Sequence, residues 1–151
     1  MLKHLLFGGA GGGSQLADVG LMLLRGYVGL TMALTHGLPK LQNPEQIIGG
    51  TRALGFPAPT LFGWLAILAE FGGGLLLAAG LATRPAAFLI ANTMAVAALV
   101  AHANDPFARK ELAVTYFMAA LLFMLTGAGR YGLDALLRPR GRSRGFPLDR
   151  G

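Results

Sequence analysis

Four apolar stretches dominate the sequence, at residues 17–38, 60–82, 85–103 and 112–128. Each approaches the ~20 residues that an α-helix needs to cross a ~30 Å hydrocarbon layer. In lipid every backbone N–H and C=O must find an internal partner, and none of these stretches alternates apolar and polar residues as a barrel strand would. The pattern predicts helices, and four of them in one short chain predict an all-α, four-helix transmembrane bundle. Composition argues against the soluble alternative. Only 13% of the 151 residues are charged, about half the roughly 25% usual in soluble domains. Four buried helices would then have almost no polar face to meet water.

The chain contains no cysteine. It has no thiolate nucleophile, no CxxC pair and no iron–sulfur ligands of its own, so a redox role must use a bound cofactor or a partner. No covalently bound cofactor is expected. The net charge of +6 could suggest nucleic acid. The basic residues, however, gather at one end of an apolar chain, which makes the lipid bilayer the expected partner and assigns no nucleic acid.

Lysine and arginine counts predict orientation. One side would hold Lys3, Arg84, Arg130, Arg138, Arg140, Arg142, Arg144 and Arg150; the other would hold Lys40, Arg52, Arg109 and Lys110. Both termini are therefore expected in the cytoplasm. The start does not read as a signal peptide, because Leu5, Leu6 and Phe7 are too short an apolar core before the glycines at 8–13. Residues 1–16 read as a flexible glycine-rich lead-in, 17–137 as the membrane domain and 138–151 as a basic tail. Ser14 or Asp18 is placed to cap the first helix.

The first outer loop, 39–59, carries helix signals of its own. Asn43 suits an N-cap, Pro44 the first helical position and Glu45 the positive end of the dipole. Ile47, Ile48, Thr51 and Leu54 follow at helical spacing, and Gly55 can close the element. A short amphipathic helix on the outer surface is expected. Thr83 and Arg84 barely separate the second and third spans, which should be antiparallel neighbours.

Helices in lipid associate through close packing of small residues. Gly29, Ala33 and Gly37 share one face of span one. Ala69 with Gly73, and Gly74 with Ala78, do so in span two; Ala87, Ala91 and Ala95 do so in span three. Gly72, Gly73 and Gly74 could instead make room for a flat ligand.

Ionisable residues inside these spans are costly, roughly 2.5–3.5 kcal/mol each at a helix centre. Arg25 lies ~12 Å from the inner edge of span one and Glu70 ~15 Å from the outer edge of span two, at about 1.5 Å per residue. Similar depth predicts that the two pair inside the bundle. A second polar set gathers at the outer end: His36 and Lys40 close span one, His102 closes span three, Asp105 follows, and Glu111 opens span four. Three chemistries fit this set. A metal could be held by His36, His102 and a carboxylate, although no HxxxH or ExxH pair lies on one helix, and no metal is assigned. Histidine and carboxylate could exchange protons with a quinone or similar lipid-soluble substrate. Alternatively, the set is an ion network holding the bundle and a partner subunit. No serine lies in the spans to support a Ser-His-Asp site.

Several of these residues resemble a known family. Arg25, the run His36-Gly37-Leu38-Pro39-Lys40-Leu41, and Gly55-Phe56-Pro57 are similar to the DoxX family of small four-helix membrane proteins. So are Glu70-Phe71-Gly72-Gly73-Gly74 with the following residues to Leu81, Thr83-Arg84-Pro85, His102, Glu111 and Gly127-Ala128-Gly129-Arg130-Tyr131-Gly132-Leu133-Asp134. Around Glu111 the chain departs from the family, with Arg109-Lys110 before it and Leu112 after it. The resemblance implies a four-helix protein of the cytoplasmic (inner) membrane of a bacterium. Some relatives are linked to thiosulfate:quinone oxidoreduction and others to membrane oxidoreductase complexes.

The resulting expectation is a membrane subunit of a redox system that meets a quinone or an oxidoreductase partner. Glu70, His102 and His36 would be catalytic. Arg25, Glu70, Lys40 and Glu111 would bind or pair. The alternative is a non-catalytic structural or assembly subunit of a membrane complex.

Overall fold

The structure, a computed structural model, describes residues 14–137. Most of the glycine-rich lead-in and all of the basic tail lie outside the described residues. Ser14 starts the first helix, its Oγ accepting from the Ala17 backbone N–H at 3.2 Å. Helix α1 then runs without a break from Gln15–Gln42. Its Met32–Gly37 segment is a π-helix. Pro39 accounts for the widened turn: its ring would crowd the carbonyl four residues back, on Thr35.

Asn43 ends α1 by donating its backbone N–H to the Pro39 carbonyl and at once begins α2, Pro44–Ala53. Its side chain makes no capping bond, contrary to the sequence expectation, since one residue serves as the hinge for two helices. Ile48 of α2 packs on Gly63, where an added Cβ would come within 2.8 Å of Ile48 Cγ1. The Thr51 hydroxyl lies 2.8 Å from the Ile48 carbonyl and 2.9 Å from that of Pro59, tying α2 to the next helix.

Helix α3, Pro59–Ala79, ends at Gly80 in the left-handed conformation, φ 69°. Leu81 N–H reaches back to the Leu76 carbonyl and Gly80 N–H to that of Leu77, a closure that suits glycine because the backbone turns left-handed there. Helix α4, Thr83–Ala101, follows after three residues. Its last turn, Ala97–Ala101, is again π-helical. Helix α5 spans Phe107–Thr126 and a short α6 spans Asp134–Leu137.

Helices α1, α3 and α4 are long and apolar enough to cross a membrane. Helix α5 is also 20 residues long but opens with Arg109, Lys110 and Glu111, which places its apolar stretch later. Among the described residues there is no strand.

Small residues set the packing. A Cβ on Gly29 would stand 2.5 Å from the Ala78 backbone nitrogen, and one on Gly37 would stand 2.5 Å from Phe71 Cα. The α1 face of Gly29, Ala33 and Gly37 therefore lies antiparallel on α3 at near-backbone contact. Gly74 faces Ala33, Gly73 faces Ala86 and Ile90 of α4, and Gly72 meets nothing within 4 Å. The three glycines serve two helix contacts and an open face; they do not frame a slot for a flat ligand.

Beyond α3, α4 packs on α5, and Arg84 at the start of α4 donates to the Leu125 carbonyl at the end of α5. Val28, Met32, Leu77, Ile90, Ala120 and Phe123 fill the centre. Large apolar side chains such as Leu23, Leu68, Leu99 and Leu125 stay exposed around the outside, as a lipid-facing surface requires.

Candidate functional site

Because Gly37 has no side chain, α1 touches the α3 backbone at Phe71 and Glu70. Lys40 stands almost one turn further along α1 and closes over Glu70. Its Nζ lies 2.5 Å from Oε1 and 2.6 Å from Oε2. The carboxylate side chain is 1% exposed, whereas the lysine is 33% exposed. Both carboxylate oxygens are thus held by one amine that keeps an open side. Such a pair can hold a charge inside the bundle and can exchange a proton with whatever reaches the amine.

The expected Arg25–Glu70 pair is not formed. Arg25 Nη1 donates to the Ala128 carbonyl at 2.5 Å, and Nη2 donates to that of Tyr131 at 3.4 Å. Register explains the difference. Gly37 lies against Glu70 and Gly29 against Ala78, so Arg25 reaches past the end of α3 to Gly80. It stands roughly 18 Å along α1 from Gly37 at about 1.5 Å per residue. Depths counted from the helix ends mislead because the two helices are offset: Gly37, near the end of α1, lies against Glu70, the twelfth residue of α3.

Around Arg25 the chain forms a polar knot. A Cβ on Gly80 would lie 2.5 Å from Arg25 Cζ, and one on Gly132 would lie 2.6 Å from Nη1. Asp134, the acidic group that faces Arg25 electrostatically, is buried and accepts the backbone N–H groups of Ala82 at 2.7 Å and Thr83 at 2.9 Å. It caps α4 from a distant part of the chain and holds Ala82 at its positive φ of 47°.

His36 sits in the π segment and meets Tyr116 of α5 edge-on, with ring centroids 5.4 Å apart. The Tyr116 hydroxyl donates to Thr31 Oγ1 at 3.0 Å, and Thr31 in turn donates to the Tyr27 carbonyl at 2.7 Å. These polar contacts bridge α1 and α5. π-Turns often mark functional positions, and the second such turn here ends at His102.

His102 does not join Lys40 and Glu70. Its Nδ1 lies 2.8 Å from Asp105 Oδ2, and Arg109 Nη1 stands 3.8 Å from the other carboxylate oxygen. The ionised carboxylate only accepts, so Nδ1 carries the proton. The histidine hydrogen bond, aided by the Arg109 charge, holds the Asp105 carboxyl below its ordinary value. Lys110 donates to the Ala103 carbonyl. Glu111 is exposed at the start of α5 and takes part in none of these contacts. Helix direction puts His36, Lys40, His102 and Glu111 toward one end of the molecule. Only Lys40 and Glu70 meet directly, and among the described residues no three histidine or acidic side chains gather as a metal set.

Tyr116, Thr31 and Asp134 are the residues that sequence reasoning missed. Tyr116 and Thr31 were visible only as polar groups within apolar runs. Asp134 stood at the end of a glycine-rich motif with no partner to be guessed.

An all-helical bundle with bilayer-length helices and charges turned inward defines a helical membrane protein. The DoxX family model matches residues 20–103, and the chain belongs to the DoxX family. It is 36% identical over 111 residues to an uncharacterized protein of Haemophilus influenzae, covering 68% of this chain and 80% of the relative. It is 31% identical over 130 residues to the inner membrane protein YqjF of Escherichia coli, covering 83% of this chain and 98% of that protein. No solved structure matches.

Proposed function

We propose that this chain is a membrane subunit of a redox system in the bacterial cytoplasmic membrane, and that the Lys40–Glu70 pair receives the headgroup of a quinone. In this reading α5 is the fourth span, both termini are cytoplasmic and the Lys40 end faces outward. The resemblance to an inner membrane protein supports the location. The chemistry rests on one observation: a carboxylate that is 1% exposed is held, among the described residues, by a single amine that is 33% exposed. Lys40 can turn one N–H to a ligand carbonyl without leaving Glu70 unpaired. Glu70 can take or return a proton through that amine, and His36 adds an imidazole four residues away along α1.

A bound quinone would supply the acceptor for two electrons and two protons. The electrons would come from a partner oxidoreductase, since the chain has no cysteine with which to carry them. His102, Arg25 and Glu111 stand outside this site. His102 orders the loop with Asp105, and Arg25 ties the opposite end.

Titration of the purified protein with a ubiquinone or menaquinone analogue tests the reading. Saturable binding that weakens on Glu70→Gln and on Lys40→Met is expected. The proposal fails if binding is absent or indifferent to both changes.

The closed two-oxygen geometry of the pair favours a second reading, in which it only locks the bundle of an assembly subunit. Glu70→Gln would then lower the yield of the assembled complex and leave turnover per complex unchanged.

A further inference from the structure

Asn92 lies midway along α4, roughly 14 Å from either end at about 1.5 Å per residue, and is exposed on the surface that lipid would cover. Its Nδ2 donates to the Phe88 carbonyl, 2.8 Å away. One N–H hydrogen is used in this way. The second N–H and the side-chain carbonyl have no partner among the described residues. An amide left open in hydrocarbon is unfavourable, and in bilayers such groups draw helices together.

The surroundings of Asn92 are shaped for contact. An open groove of about 190 Å³ runs between α4 and α5 beside it. Ala91 and Ala95 form its α4 side, Phe117 and Leu121 its α5 side, and Phe88 stands at its edge, 52% exposed. Ala91 is the buried floor of the groove, and the small Ala95, half-buried at its side, leaves room for another helix to approach α4. A bulky side chain next to a groove gives the face both a ridge and a slot.

We propose that this face is the interface between two copies of the chain, related by a twofold axis passing beside Asn92. A carboxamide is its own complement. The free N–H of one Asn92 donates to the carbonyl of the partner's Asn92, and the reciprocal bond forms by symmetry. Both open groups are satisfied by one contact, with no other polar residue required. An acyl chain could fill the groove but offers no donor or acceptor to the amide. The Lys40–Glu70 pair lies on other helices, so this inference stands apart from the proposed function.

The test uses the full chain reconstituted in vesicles of bacterial polar lipid. Fluorescence transfer between donor- and acceptor-labelled copies, followed as lipid dilutes the protein, should trace a monomer–dimer curve. Asn92→Leu should raise the half-dissociation density about tenfold, in keeping with a pair of interhelical hydrogen bonds, and Asn92→Gln should keep most of the association. The cysteine-free chain also permits single-thiol cross-linking. Asn92→Cys should give a disulfide-linked dimer on copper-phenanthroline oxidation, whereas Leu68→Cys, exposed on α3, should not. Transfer that is absent at every density, or equal for wild type and Asn92→Leu, would overturn the interface. So would equal cross-linking at both positions, or a position-92 thiol that links only to a different protein in native membranes.

Discussion

Lys40 Nζ sits between the two carboxylate oxygens of Glu70, 2.5 Å from one and 2.6 Å from the other. The contact exists because Gly37 lets α1 lie on the α3 backbone. Removing the lysine leaves a charge in a site with 1% exposure, which costs about 3–5 kcal/mol for a fully buried pair. The partly exposed amine lowers that figure, so Lys40→Leu should destabilise by about 2–3 kcal/mol. Lys40→Leu with Glu70→Leu should recover most of the loss. Thermal unfolding of the detergent-solubilised protein measures both, and additive losses would show that the two residues are not coupled.

A side chain at Gly37 has no room. Its Cβ would stand 2.5 Å from Phe71 Cα and 2.8 Å from the Glu70 carbonyl carbon, and both are backbone. Gly37→Ala should force α1 from α3 at a cost of about 1–3 kcal/mol and stretch the Lys40–Glu70 bond as well. Gly72→Ala is the control, since nothing lies within 4 Å of its Cβ position. It should be neutral or stabilise by up to about 1 kcal/mol through better helix propensity. The same unfolding measurement separates them.

Local features of the fold were legible in the sequence. The Ser14 cap, the helix opening at Pro44 and the Gly29, Ala33, Gly37 face each depend on residues within a few turns. The ion pairing was not legible, because it depends on how far one helix slides along another. Equal counting from the ends of the apolar runs put Arg25 level with Glu70; the displacement of α1 along α3, with Gly37 against Glu70, brings Lys40 there instead. Asp134 and Tyr116 escaped for a related reason. Their partners, Thr83 and Thr31, are distant in sequence, and only the arrangement of helices around the bundle makes them neighbours.

Asp134 accepts the two N–H groups that open α4. Asp134→Ala should leave both without an acceptor and release the strained Ala82, costing about 1–2 kcal/mol. Asp134→Asn keeps one acceptor oxygen and should cost less. Hydrogen exchange at the amides of Ala82 and Thr83 gives a local readout, expected to rise strongly in the alanine variant and modestly in the asparagine variant. Unchanged protection of these amides would mean that another group caps the helix.

Asp105 carries the pH dependence of the loop between α4 and α5. The His102 hydrogen bond, followed by the Arg109 charge, lowers its carboxyl from the ordinary 3.8. A depressed native value means that ionised Asp105 contributes to stability above the unfolded value. That contribution is lost as pH falls through the lowered native value. The group is solvent-facing, so the effect should be confined to the loop. A carbon-detected NMR titration of the Asp105 carboxyl should show a midpoint below 3.8. His102→Ala should return the midpoint most of the way to the ordinary value, and Arg109→Ala should return it by less. A wild-type midpoint at or above the ordinary value, or equal shifts in the two variants, would contradict the geometry of this loop.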